Sequence, residues 1–196
     1  MIEKYDVIIT GTTKVLLTGT KFLLNNLFIS LFLVIVLISI FMAWMFSSYK
    51  MVLISLIPNI IPLLITGAIM GFFGIALKPS TILVFSIAFG ISVDDTIHFL
   101  AKYRQELISN NGVIRNAVFA SLKETGVSML YTSVVLFFGF FIFIASDFGG
   151  TVALGLLVSI TLLIAMLSNL LLLPALLLTY EKKLMGALVD PNKIKK

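Results

Sequence analysis

Cysteine is absent from this 196-residue chain, which excludes disulfides, thiolate metal sites and thiol nucleophiles. Charge is scarce: 12% of residues are charged, against about 25% in a soluble domain. The opening Met-Ile-Glu-Lys-Tyr-Asp lacks the basic region and cleavage site of a signal peptide. The formal charge is +5, yet the basic residues lie between apolar runs and form no stripe. Nucleic acid is therefore excluded as a partner.

What is present is apolar: 60% of residues are hydrophobic and the mean hydropathy is +1.15. Five runs near the roughly 20 residues a bilayer-crossing helix needs fall at 22–46, 51–73, 81–101, 127–145 and 151–178. They predict an all-α, polytopic membrane bundle of five transmembrane helices over residues 22–180. Residues 1–21 form a mixed, polar lead-in with a short strand at 7–10, too small to bury a core, and read as the tail of a missing part. Residues 181–196 are a basic tail. Residues 47–50 are expected to make a tight hairpin.

Lysine and arginine placement sets the orientation. One side collects Lys50, Lys102, Arg104, Arg115, Lys123, Lys182, Lys183, Lys193, Lys195 and Lys196, the other Lys4, Lys14, Lys21 and Lys78. The N-terminus is predicted outside and the C-terminus in the cytoplasm, which an odd number of spans allows. The long connection, 102–126, is then cytoplasmic. Within it, 113–123 puts Ile114, Ala117, Val118 and Leu122 on one face, the pattern of an amphipathic interfacial helix. Asn110-Asn111-Gly112 supplies the turn before it.

Pro58 and Pro62 fall inside the second span and predict a kink around Asn59. Gly67 and Gly71 form a small-xxx-small pair, which serves close helix packing or a hinge.

The unusual stretch is 90–100, Gly-Ile-Ser-Val-Asp-Asp-Thr-Ile-His-Phe-Leu. A charge at the bilayer centre costs roughly 2.5–3.5 kcal/mol on insertion scales, so adjacent aspartates there are a functional hypothesis by default. On a helix Asp94 shares a face with Ile87, Gly90, Ile91 and His98, and Gly90 leaves a notch for another helix. Asp95 points about 100° away, toward Ala88 and Ser92. His98 reaches either acid.

Adjacent residues of one helix cannot converge on one water as an aspartyl-protease dyad must, and no other span is acidic. A metal site would have at most Asp94, Asp95 and His98, so none is expected. No serine stands as an obvious nucleophile beside the histidine. Binding and releasing a proton is what such a trio does well, because burial and neighbours move carboxylates toward neutrality. Holding helices together without turnover is the plainer role. Tyr131, Thr132 and Ser133 lie at a matching depth on the fourth span, as relay hydroxyls or bonded to their own backbone. Asn59 and Asn169 are weaker candidates.

These residues carry a resemblance. Gly90-Ile-Ser-Val-Asp94-Asp95 with Thr96-Ile-His98-Phe-Leu100 resembles the proton-relay helix of the resistance-nodulation-division (RND) superfamily, closest to its MMPL-like hydrophobe exporters. Their membrane half also resembles the sterol-sensing domain of Patched-type proteins. The Thr10-Gly-Thr-Thr lead-in, the Pro58-Asn59-Ile-Ile-Pro62 span, the amphipathic helix and the hydroxyl-rich fourth span match in the same order.

The resemblance implies the last five helices of a C-terminal half, behind the tail of a periplasmic domain, in a bacterial inner membrane. It implies protons as the coupling ion and no other cofactor. Asp94 and Asp95 would carry the proton, His98 would tune them, and Thr132 and Ser133 would lie beside the relay. The implied partners are membrane lipids, the missing N-terminal half and the periplasmic porter domain. The last two would join in cis or as another subunit of an oligomer. A proton-driven exporter of hydrophobic or amphiphilic molecules is expected. A lipid- or sterol-sensing module that transports nothing, and an intramembrane enzyme, are the alternatives.

Overall fold

A computed structural model describes residues 11–46 and 49–179. The strand expected at 7–10, the centre of the hairpin at 47–48 and the basic tail at 181–196 lie outside the described residues. Within them the chain is helical, and five helices are long and apolar enough to cross a membrane. It is a multi-pass membrane protein.

The first helix, α1 (Thr12–Phe46), begins ten residues earlier than its apolar run, taking in the Thr- and Gly-rich lead-in. Extending a formed helix adds one hydrogen bond per residue, here Val15 N–H to the Gly11 carbonyl at 3.0 Å, and this outweighs weak propensities. The helix is peripheral. Only its second half buries side chains in quantity, among them Met42, Met45 and Phe46, with Phe46 stacked on Tyr103.

Helix α2 (Tyr49–Phe72) runs unbroken through Pro58 and Pro62. It ends at Gly74, whose φ of 65° lets Ile75 N–H return to the Met70 carbonyl at 2.9 Å. Helix α3 (Pro79–Ser109) starts with proline in its first turn, and the Thr81 hydroxyl oxygen accepts Lys78 N–H at 2.8 Å. It continues eight residues past the expected end at 101. Tyr103 and Leu107 on that extension are buried, and Lys102 pairs with Glu106 one turn on, at 3.1 Å. The chain then reverses at Asn110-Asn111-Gly112, as the sequence suggested. Asn111 (φ 52°) and Gly112 (φ 83°) are left-handed, and Gly112 N–H bonds the Leu107 carbonyl.

The amphipathic segment is α4 (Ile114–Ser121). Its apolar face, Ile114, Ala117 and Val118, closes on α3 and on the end of the last span, so it is buried in protein. A wide π turn at Leu122–Gly126 joins it directly to α5 (Val127–Phe141), and a 3₁₀ turn finishes that span at Ala145. The fifth span is α6 (Gly149–Leu167), a second π turn at Ser168–Leu172, and α7 (Leu173–Thr179). Pro174 cannot donate to the Leu170 carbonyl and would crowd it, and an extra residue in the turn before it relieves that conflict.

Helices α3 and α6 form the centre, flanked by α2 and, beyond α6, by α5. Two apolar clusters fill the bundle. One, toward the α4 end, includes Met42, Met51, Phe99, Leu100, Tyr103, Ile114 and Leu173. The other, toward the opposite end, includes Met70, Val84, Leu157, Val158 and Leu162. Buried polar side chains lie between them: Asn59, Ser92, Thr96, Ser168 and Asn169.

Helices α5 and α6 touch most closely at Gly155, where a Cβ would stand 2.7 Å from the Phe140 carbonyl oxygen and from Phe143 Cβ. Ser159 Oγ donates to the Phe137 carbonyl nearby at 3.2 Å. Gly155→Ala must push the two helices apart. It is expected to destabilise the purified protein by about 1–3 kcal/mol, read as a lowered midpoint of thermal unfolding in detergent.

Candidate functional site

Helix α3 presents two contrasting faces at one depth. On the first, Gly90, Asp94 and His98 are all exposed, and Asp95 sits half-buried at its edge. Asp94 Oδ1 and His98 Nε2 are 3.6 Å apart, the side chains 72% and 70% exposed, so this pair points away from the bundle. A Cβ on Gly90 would meet nothing within 4 Å, and the same holds for Gly67 and Gly71 of α2. No described helix fills the notch at Gly90 or approaches the Gly67/Gly71 pair.

The opposite face is packed and neutral. Ser92 Oγ donates to Asn59 Oδ1 at 2.6 Å. Asn169 Nδ2 donates to the Ser92 carbonyl at 3.0 Å and lies 3.4 Å from Ser92 Oγ. Thr96 Oγ1 has three acceptors in reach: Asn59 Oδ1 at 3.1 Å, Asn169 Oδ1 at 3.0 Å and the Ser92 carbonyl at 3.0 Å. Asn59 Nδ2 donates to the Ser55 carbonyl at 2.6 Å. α2, α3 and the α6–α7 turn are thus tied at one level.

The prolines enter the same cluster. Pro62 has no N–H, so the Pro58 carbonyl loses its usual partner one turn on. Ser168 Oγ donates to that carbonyl at 2.8 Å. Pro58, Asn59 and Pro62 are all buried. One turn further along, Thr66 Oγ1 and Thr161 Oγ1 stand 2.6 Å apart across α2 and α6.

Thr132 and Ser133 stand apart from the carboxylates. The Thr132 hydroxyl lies 3.0 Å from the carbonyls of Ser128 and Met129 on its own helix, and Ser133 is buried on α5, which packs chiefly on α6. Among the described residues neither hydroxyl is hydrogen-bonded to Asp94 or Asp95. At the end of α3, Lys102 Nζ bonds Glu106 Oε1 at 3.1 Å and Glu124 Oε2 at 2.6 Å, fastening α3 to the π turn ahead of α5.

Sequence reasoning underrated Asn169 and passed over the roles of Ser92, Thr96 and Ser168. A signal existed, since Ser92 and Thr96 are four apart and share a helix face. What hid the node is the π turn at Ser168–Leu172. A regular 3.6-residue period drawn through the fifth span loses its phase across that turn, while Ser168 and Asn169 are both buried there.

The arrangement supplies an accessible carboxylate–imidazole pair on a face that no described helix covers, backed by a buried neutral hydrogen-bond network. Proton binding and release is chemistry that such a pair can perform. Among the described residues no group of three or more potential metal-ligating side chains converges.

Comparison with known proteins places these features in a family context. The MMPL family model matches residues 2–195. A membrane protein of Methanocaldococcus jannaschii is 28% identical over 131 residues, 66% of this chain and 33% of that protein. The hopanoid transporter HpnN of Burkholderia multivorans is 30% identical over 135 residues, 66% of this chain and 15% of that protein. The match thus spans no more than a third of either curated relative. No solved structure matches.

The two faces differ in what they tolerate. Gly90→Ala meets open space and is expected to leave the stability of the purified chain within about 0.5 kcal/mol. Asn59→Leu strips Ser92 Oγ of its acceptor in a buried layer and should cost about 1–3 kcal/mol. Thermal unfolding of both variants in one detergent makes the comparison.

Proposed function

The chain belongs to the MMPL family, and from that premise we propose that it is a membrane module of a proton-driven, RND-type exporter of hydrophobic or amphiphilic, lipid-like molecules. The observation that carries this reading is the open face of α3. Asp94 and His98 lie exposed on a membrane-spanning helix beside an unfilled glycine notch.

A carboxylate left against hydrocarbon costs several kcal/mol, so the face calls for a covering element. A second helical bundle fits, with a helix seated at Gly90 and polar groups beside the acids. It would be the other half of a longer chain or another subunit. Transporters commonly build their ion sites where two such repeats meet near the midplane. Protonation of Asp94 or Asp95 would remove a charge from that interface and shift the balance between two packings of the bundles. His98 would stabilise the charged form of Asp94 when protonated. Thr132 and Ser133 would serve once the partner bundle is in place.

Similarity to a hopanoid transporter supports a lipid-like cargo, and favours transport over intramembrane hydrolysis. Because the matched relatives are at least three times as long as the shared region, substrate choice is assigned to parts outside this chain. The proposed setting is a bacterial inner membrane with the N-terminus periplasmic and the C-terminus cytoplasmic. Lys102, Arg104, Arg115 and Lys123, clustered at one end, support that orientation.

A sensing module, in which the Asp pair merely clamps helices, fits less well. Asp94 pairs with His98 of its own helix, and the clamping is done by the neutral node on the other face. Asp94→Asn and Asp95→Asn, made in the protein expressed from its complete reading frame, are expected to abolish export of an amphiphilic dye or lipid probe at unchanged membrane abundance. Export at the wild-type rate in both variants would refute proton coupling through this pair.

A further inference from the structure

The neutral node lies at the level of the acids and grips the same turn of the same helix. Ser92 and Thr96 are the two α3 residues in it, and they bracket Asp94 and Asp95 in the chain. Asp95 is the acid whose surroundings depend most on how α3 is turned. It lies half-buried between the exposed line Gly90–Asp94–His98 and the buried line Ala88–Ser92. A modest rotation of α3 about its axis carries it toward one or the other.

The hydrogen-bond count shows what resists that rotation. Thr96 Oγ1 has one proton and three acceptors. Asn59 Oδ1 also receives Ser92 Oγ, so it is served whichever way Thr96 points. For Asn169 Oδ1, buried in the same layer, the donor is Thr96. Leaving a buried acceptor unmet costs about 1–3 kcal/mol, which directs the Thr96 proton toward Asn169. The amide of Asn169 in turn holds the Ser92 carbonyl. This closed pair of contacts fixes α3 in angle and height against the π turn at Ser168–Leu172. Through Ser168 and the Pro58 carbonyl, the turn is fastened to α2.

We propose that Asn169 and Asn59 are positioning residues for the Asp94–Asp95 pair, setting through Thr96 and Ser92 the angle of α3 that fixes how far Asp95 is exposed. This rests on the proton-relay reading of the acids. Neither asparagine touches the proton. Each acts through the rotation of α3, and the α6–α7 turn is the body against which that rotation is held.

Charged groups on the neighbouring elements do not blur the test. Lys14 and Lys21 of α1 and Tyr49 and Lys50 of α2 lie near the starts of their helices. Arg115 of α4 and Lys123 and Glu124 of the first π turn lie beyond Lys102, which Glu106 and Glu124 engage. α6, α7 and the second π turn have no titratable side chain. The ionisable groups within one turn of Asp95 are Asp94 and His98, both on its own helix.

The experiment is an infrared titration of the full 196-residue chain reconstituted in lipid bilayers, following the protonated-carboxyl band. Asp94→Asn and Asp95→Asn assign the band. Thr96→Val, which keeps the shape and removes the hydroxyl, and Asn169→Leu are expected to displace its midpoint by about half a pH unit or more, with helical amide absorption unchanged. Thr96→Ser, which restores the donor, is expected to return the wild-type midpoint. Should Asn169→Leu fail to fold, Thr96→Val carries the same test. A band that titrates in the wild type and keeps its midpoint in Thr96→Val overturns the positioning role and leaves the relay reading standing. A wild-type chain in which neither aspartate titrates between about pH 4 and 9 overturns both.

Discussion

Polar groups inside a bilayer have no water to turn to, so each backbone carbonyl and side-chain amide at mid-depth must be answered by the protein itself. Among the described residues the largest set of such answers lies around Asn59 and Asn169. Pro62 leaves the Pro58 carbonyl without its helical donor, and the hydroxyl of Ser168, 110 residues further along the sequence, supplies it. The surrounding amides and hydroxyls of Asn59, Ser92, Thr96 and Asn169 answer one another. The apolar clusters above and below have no directional preference, and close packing alone lets helices slide or turn by small amounts. The polar layer gives α2, α3 and the fifth span a common register.

That register gives the two faces of α3 different work. Hydrogen bonds among neutral groups tolerate burial, and once saturated they hold geometry rather than change it. Carboxylates in the same layer would face heavy desolvation with no cation at that depth, and would disrupt the fixed geometry around them. Asp94 lies instead beside Gly90 on the face that no described helix covers, and Asp95 lies half-buried at its edge. A packed neutral face on one side and exposed acid on the other is the division that the proposed relay would need, and membership of the MMPL family is consistent with that proposal.

Much of this was legible from the residues. Apolar runs are long enough that five spans could hardly be missed, and their bounds moved only where a helix had reason to continue. The lead-in before residue 22 followed α1, and the stretch beyond 101 followed the burial of Tyr103 and Leu107. Asp94, Asp95 and His98 stood out because charge in an apolar run is costly, and periodicity correctly placed Asp94 with Gly90 and His98. Sequence alone did not reveal which face of each helix meets the bundle. Hydrophobicity cannot separate protein-facing from lipid-facing side chains when both surroundings are apolar. So the apolar face of α4 was assigned to the interface, and it closes on protein.

The π turns were hidden for a related reason. A π turn has no composition of its own, and arises where an obstacle such as Pro174 meets a helix that tertiary contacts keep straight on both sides. Its effect is to shift the phase of everything downstream. Ser168 and Asn169, at the start of the turn, are both buried. The two adjacent residues answer two helices at once, Ser168 reaching α2 and Asn169 reaching α3. If the five helices are to rock as a unit against another bundle, such a segment is where stiffness is most useful. Under the proposed relay it would keep such a motion from dissipating between α2 and α3 before it reached the acids.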